Sequence, residues 1–128
     1  MMKAIAIMGY GNPDVLVEQE MNMPTCNDDQ VLVELHATSV NPVDSNIRAG
    51  RVQEVFPVHA FPHILGLDLA GVVREAGANV KHFKKGDRVF GLGSSGTYAE
   101  YAVAEAEQIA RLSANITFHE AGALPAVA

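Results

Sequence analysis

A mainly β fold, a small barrel or sandwich with short helices, is the class that this 128-residue sequence predicts. Three observations predict it. Short apolar segments recur at close spacing between turns, with no long helix among them to build a βαβ array. The segments that read as strands are β-branched or alternate with period two. The length is that of one domain, enough to bury roughly two thirds of the unfolded surface.

Residues 3–8 are short and apolar and are closed by Gly9-Tyr10-Gly11-Asn12-Pro13, a cluster of turn formers. A second strand is expected over residues 15–21, before a polar stretch. Residues 31–37 (Val-Leu-Val-Glu-Leu-His-Ala) make the strongest strand in the chain, ended by Asn41-Pro42. One or two helical turns are expected over residues 42–49, with Gly50 as the stop. Pro57 and Pro62 forbid a long regular element over residues 51–63. Short strands follow at 69–74 and 87–90, the latter introduced by Lys85-Gly86-Asp87. Residues 97–103 alternate and read as a further strand. Thr117-x-x-Glu120 has the form of a capping box that opens a helix, with only eight residues after it. The sequence thus stops inside an element, and a fragment of a longer protein is the expectation.

Composition excludes several classes of function. A net charge of -6, with scattered Lys and Arg, does not suit phosphate-backbone binding, so no nucleic-acid partner is expected. No apolar run approaches a membrane span, and the amino terminus lacks the form of a signal peptide. The single cysteine, Cys26, permits no internal disulfide, and a cytoplasmic protein is expected. No Lys, Arg or His neighbours Cys26 to lower its pKa, so its thiol is expected to be inert.

Gly91-Leu92-Gly93-Ser94-Ser95-Gly96 satisfies G-x-G-x-x-G, but the alternating residues after it read as strand and not as the helix a pyrophosphate cradle needs. It is therefore expected to be a turn. His59 and His63 have metal-pair spacing, but Pro62 lies between them and breaks any helix, which favours a surface loop. His36 is expected to pack at a strand end. His82 and His119 are expected to be solvated. Asn41 and Asp44 are compatible with a plain turn in which Asp44 caps the following helix.

Asn41-Pro42-x-Asp44 with Arg48-x-Gly50, then Gly66-x-Asp68-x-Ala70-Gly71, then Gly86-Asp87-Arg88-Val89 form an ordered set across nearly the whole chain. That set resembles the amino-terminal domain of the medium-chain dehydrogenases/reductases, in the zinc-independent quinone oxidoreductase (zeta-crystallin-like) branch. The resemblance implies that residues 1–128 form a GroES-like, partly open β-barrel. This barrel would be one wall of a cleft, and a Rossmann domain outside this chain would be the other. It implies an oxidoreductase that delivers hydride from NADPH (or NADH) to a quinone or an activated alkene or carbonyl. It also implies the catalytic set Asn41, Asp44 and Arg48, with Asn41 beside the nicotinamide and Arg48 pairing with Asp44 or Asp68. Zinc alcohol dehydrogenases have a cysteine at the position of Asn41 and a His-Glu pair at Leu67-Asp68, so no metal site is implied here. The branch often has a tyrosine just after Arg-x-Gly. Here Arg51-Val52-Gln53 follow, and a tyrosine proton donor is missing from that position. A homo-oligomer is expected, and the isolated chain is expected to be inactive and to hold no cofactor tightly. The competing expectations are a stand-alone GroES-like binding or assembly module and a fragment of a zinc alcohol dehydrogenase.

Overall fold

Strand β1 (Met2–Ile7) begins the fold by burying every second side chain, and it pairs antiparallel with β2 (Leu16–Met21). Lys3 lies opposite Glu20, an oppositely charged cross-strand pair. A 3-10 turn, Pro13–Val15, precedes β2 and takes up the first residue of the strand expected from sequence. Strand β3 (Gln30–Ala37) is an interior strand of the second sheet, with Val31, Leu32 and Val33 all buried. Helix α1 (Pro42–Arg48) and β4 (His63–Ile64) follow, and β4 adds to the free edge of β1. The last strands are β5 (Asp68–Ala76), β6 (Arg88–Leu92), β7 (Tyr101–Glu105) and β8 (Ile109–Arg111). A computed structural model describes residues 1–38, 42–51, 53, 58, 61–113 and 115–118 of the chain, with side chains from Asp44 onward in α1.

The strands form two antiparallel sheets, ordered β2-β1-β4 and β7-β3-β5-β6-β8, which do not close into a barrel. They are stitched together where the Ile5 amide donates to the Tyr98 carbonyl at 2.7 Å and the Glu100 amide donates to the Lys3 carbonyl at 3.1 Å. The expected GroES-like, partly open and mainly β architecture is thus observed. The strands of the larger sheet contribute one core cluster, Val31, Val33, Leu69, Val73, Val89, Ala104 and Ile109. A smaller core of Ile7, Ile47 and Leu65 seats α1 against the first sheet. Among the described residues no helix is long and apolar enough to cross a membrane.

Two sequence expectations need correction, and two short elements lie beyond what the sequence predicts. The strand expected at 97–103 begins only at Tyr101, because the Thr97 and Tyr98 amides both donate to the Leu65 carbonyl at 3.0 Å and not to a neighbouring strand. His63 lies in β4 opposite Ile7 rather than in a loop. Strand β8 and the 3-10 turn Ala106–Gln108 before it carry too little pattern to have been anticipated. The capping box at 117–120 and Pro57 lie partly or wholly outside the described residues.

Gly71 shows how tightly β5 is laid on β3. A Cβ there would sit 2.0 Å from the Glu34 carbonyl oxygen, which belongs to rigid backbone. Gly71→Ala is therefore expected to destabilise the domain by about 2–4 kcal/mol, through overpacking that only a shift of the ladder relieves. Gly9→Ala, where a Cβ meets nothing within 4 Å, is the control and is expected to be near neutral. Urea midpoints of the two variants against the parent check the contrast.

Candidate active site

Helix α1 is short, and its ends are defined by local chemistry. Pro42 occupies its first position, where a missing N–H costs nothing. At the other end the Gly50 amide donates to the Ile47 carbonyl at 3.1 Å and the Arg51 amide to the Asn46 carbonyl at 3.0 Å. This is a Schellman closure, and Gly50 adopts the φ of 76° that it requires. Asp44 is thus the third residue of the helix, not the residue that caps it.

Asp44 is only 2% exposed, and its carboxylate reaches away from α1 to two other segments. The Gly66 amide, between β4 and β5, donates to Oδ1 at 3.3 Å. The Tyr98 hydroxyl, between β6 and β7, donates to Oδ2 at 3.2 Å. Gly66 is required for this approach: its φ is +106°, and a Cβ would lie 2.3 Å from Thr97 Oγ1. Burial, then the charge of Asp44 and the hydrogen bond to it, then Asp68, push the Tyr98 phenol well above its ordinary value.

Beside this group the buried Thr97 hydroxyl shares a hydrogen bond with Thr38 Oγ1 at 2.8 Å, and Thr38 Oγ1 donates to the Asp68 carbonyl at 2.5 Å. Asp68 itself is fully buried. His36, Thr38, Thr97 and Tyr98 supply the polar groups of an open pocket of about 440 Å³ whose other walls are apolar. A mostly apolar pocket with a few fixed polar groups is the usual form of a small-molecule site.

Of the expected site residues, the structure places Asp44 at the centre of this arrangement and Arg48 one turn further along α1. Arg48 Nε is buried without a hydrogen-bond partner, so the expected pairing with an aspartate does not occur through that atom. Asn41 and His59 lie outside the described residues, as does His119. His36 is 41% exposed at its side chain, with its ring stacked on Phe118 at 4.5 Å and Nε2 lying 3.7 Å from Glu34. The histidine thus packs at the strand end as expected, against an aromatic ring and with one face left to solvent. Cys26 donates to the Gln30 carbonyl at 2.9 Å, and burial, with Glu75 and Asp28 nearby, raises its pKa, in line with an inert thiol. His82 is exposed, as expected.

The glycine-rich segment runs from the end of β6 into a bend, where the Ser94 amide donates to the Val103 carbonyl at 2.8 Å. It links two strands, and no helix follows it to face a phosphate. Tyr98 and the two threonines were missed from sequence, because the period-two pattern around Tyr98 points to a regular strand. The one signal in the sequence is the glycine at position 66 itself, and the structure shows why it is there: its φ is +106°.

Residues 27–114 match the alcohol dehydrogenase GroES-like domain. Among known proteins the chain is similar to the quinone oxidoreductase of Sus scrofa, at 40% identity over 97% of this chain and 37% of that protein. The fold matches the structure of the quinone oxidoreductase from Coxiella burnetii with a TM-score of 0.91 and 32% identity, covering 97% of this chain and 41% of that one. It also matches the Escherichia coli quinone oxidoreductase complexed with NADPH, with a TM-score of 0.86 and 32% identity, over 95% of this chain and 36% of that one. The chain therefore spans a little over a third of the length of the pig relative.

The Tyr98–Asp44 contact has a consequence for stability in alkali. The unfolded phenol ionises near pH 10, whereas folded Tyr98, with its raised pKa, keeps its proton. Unfolding then releases a proton, so the contribution of Tyr98 is fully present below about pH 10 and is lost as pH rises further. The stability advantage of the parent over Tyr98→Phe is expected to hold up to about pH 10 and to shrink as pH rises beyond it. Urea melts at several pH values measure it; a constant gap would mean that the folded hydroxyl titrates like one in water.

Proposed function

We propose a function for a chain that belongs to the alcohol dehydrogenase GroES-like domain family: it is the substrate-side domain of a zinc-independent, NAD(P)H-dependent quinone oxidoreductase. The observation that carries this reading is the similarity to quinone oxidoreductases along 97% of the chain, one of their solved structures being an NADPH complex. In this reading residues 1–128 supply one wall of the active cleft, and a cofactor domain beyond them supplies the other.

NAD(P)H, when bound, supplies the hydride. What this chain contributes is position and polarity. Asn41 immediately precedes α1, and its amide is suited to donate a hydrogen bond to the quinone oxygen on which negative charge develops. Asp44 fixes the first turn of the helix through Gly66 and Tyr98. Arg48, one turn on, supplies the positive charge nearest in sequence to Asp44 on the same helix. The residues do not fit a catalytic zinc: the Leu67 side chain has no donor atom, and an amide at 41 is a poor substitute for thiolate. Among the described residues no three His, Cys, Asp or Glu side chains are grouped for a metal.

In the intact enzyme, Asn41→Ala is expected to lower kcat/KM roughly two- to tenfold, the value of one hydrogen bond of about 0.5–1.5 kcal/mol, with little change in melting temperature. Unchanged turnover with a lowered melting temperature would assign Asn41 to turn formation alone. Incubation of the chain with excess zinc, followed by desalting and elemental analysis, is expected to leave well under one equivalent. A tightly held equivalent that Asn41→Ala removes would point to a zinc enzyme instead.

A further inference from the structure

We infer that Tyr98 is a positioning residue for the reaction proposed above: its hydroxyl, together with the Gly66 amide, clamps Asp44 and thereby sets the first turn of α1, which Asn41 precedes in sequence. The inference rests on that reading for its catalytic half and on geometry alone for its structural half. Three separate segments meet at one carboxylate, and they come from different parts of the fold: α1, the β4–β5 connection and the β6–β7 connection. Each has a reason to be there. The Thr97 and Tyr98 amides are held on the Leu65 carbonyl at 3.0 Å, which presents the phenol to the helix. The Ile5 amide donates to the Tyr98 carbonyl at 2.7 Å and ties the same residue to the first sheet. The Tyr98 ring packs beside Ile7, Ile47 and Leu65, so its position does not depend on the hydroxyl.

The direction of the hydroxyl sets its role. It donates inward to Asp44 Oδ2, and burial beside two aspartates disfavours the phenolate. Such a phenol remains a hydrogen-bond donor at every pH at which the enzyme works, and it is a poor proton donor. It does not replace the tyrosine missing after Arg48-x-Gly50. Its effect passes through Asp44 to the helix and from there to the residue before Pro42. An error of 1 Å in that placement is enough to slow a reaction that depends on alignment.

Two measurements test this, on Tyr98→Phe, which keeps the ring, and on Asp44→Asn, which keeps one acceptor. In the 128-residue chain, hydrogen exchange at the Ala49, Gly50 and Arg51 amides of the helix end is expected to speed up about tenfold or more in both variants, as local opening becomes easier. Amides of β3 and β5 are expected to stay unchanged. In the intact enzyme, with NADPH and phenanthrenequinone as the probe, Tyr98→Phe is expected to lower kcat roughly three- to tenfold with KM for NADPH unaltered. The shape of the pH profile should be the same in parent and variant. Equal exchange in parent and both variants would overturn the clamp. Faster exchange with unchanged kcat would overturn its role in catalysis, and a basic limb lost with Tyr98→Phe would make it a proton donor instead. An intact parent enzyme with no quinone reductase activity would sink the proposed function, and the exchange result would still decide the clamp.

Discussion

A buried carboxylate is the constraint around which this end of the molecule is organised. Moving such a group out of water costs several kcal/mol unless donors replace the lost solvent. Asp44 is 2% exposed, and the chain provides a backbone amide and a phenol for its two oxygens. Hydrogen bonds to a charged group contribute about 1.5–3 kcal/mol each, while a deserted partner costs a comparable amount. The three segments are therefore interdependent: none can move away without leaving a buried polar atom behind. A seven-residue helix, too short to be stable alone, is fixed in this way.

The same residues also join the two sheets. Tyr98 donates its hydroxyl to α1, its amide to Leu65, and its carbonyl accepts from Ile5 on β1. The regular strand begins only three residues later, at Tyr101, because the Thr97 and Tyr98 amides turn to Leu65 and Ala99 bridges to Ala4 on β1. Thr97 extends the junction to Thr38 at the end of β3, and Thr38 reaches the Asp68 carbonyl at the start of β5. Side-chain bonds thus complete a corner where the sheets leave the backbone without regular partners. The cavity lined by Tyr98 opens at this corner.

How much of this is legible in the sequence depends on how local each cause is. Strands β1, β3, β5 and β6 carry their own apolar patterns, and α1 carries a proline at its start and a glycine after its end. These elements can be read directly. The glycine-rich turn is also readable, because the residues after it lack a helical period. The clamp is not, since 22 residues separate Asp44 from Gly66 and 54 separate it from Tyr98. Tyr98 falls in an alternating run whose pattern is genuine from Tyr101 onward and misleading before it. Strand β8 is three residues long and exists because β6 offers it an edge. The family motif marks Asp44 only as a candidate, whereas its inward aim is visible only in three dimensions.

The electrostatics of the site bear on which chemistry it can assist. Asp44 and Asp68 are both buried, and both disfavour a negative charge on the neighbouring phenol. The same field acts against an anion forming on a bound oxygen nearby, at tens of per cent of the strength felt in a dry interior. A wall of this kind needs neutral donors or a cation at the reacting oxygen, and a further carboxylate there would slow the reaction. Asn41 offers an amide, which donates without adding charge, and Arg48 lies four residues along the helix from Asp44, on the same face. The Arg48 Nε atom is buried with no hydrogen-bond acceptor. Under the function proposed above, a guanidinium on this helix would offset the carboxylates and so favour charge developing on a substrate oxygen.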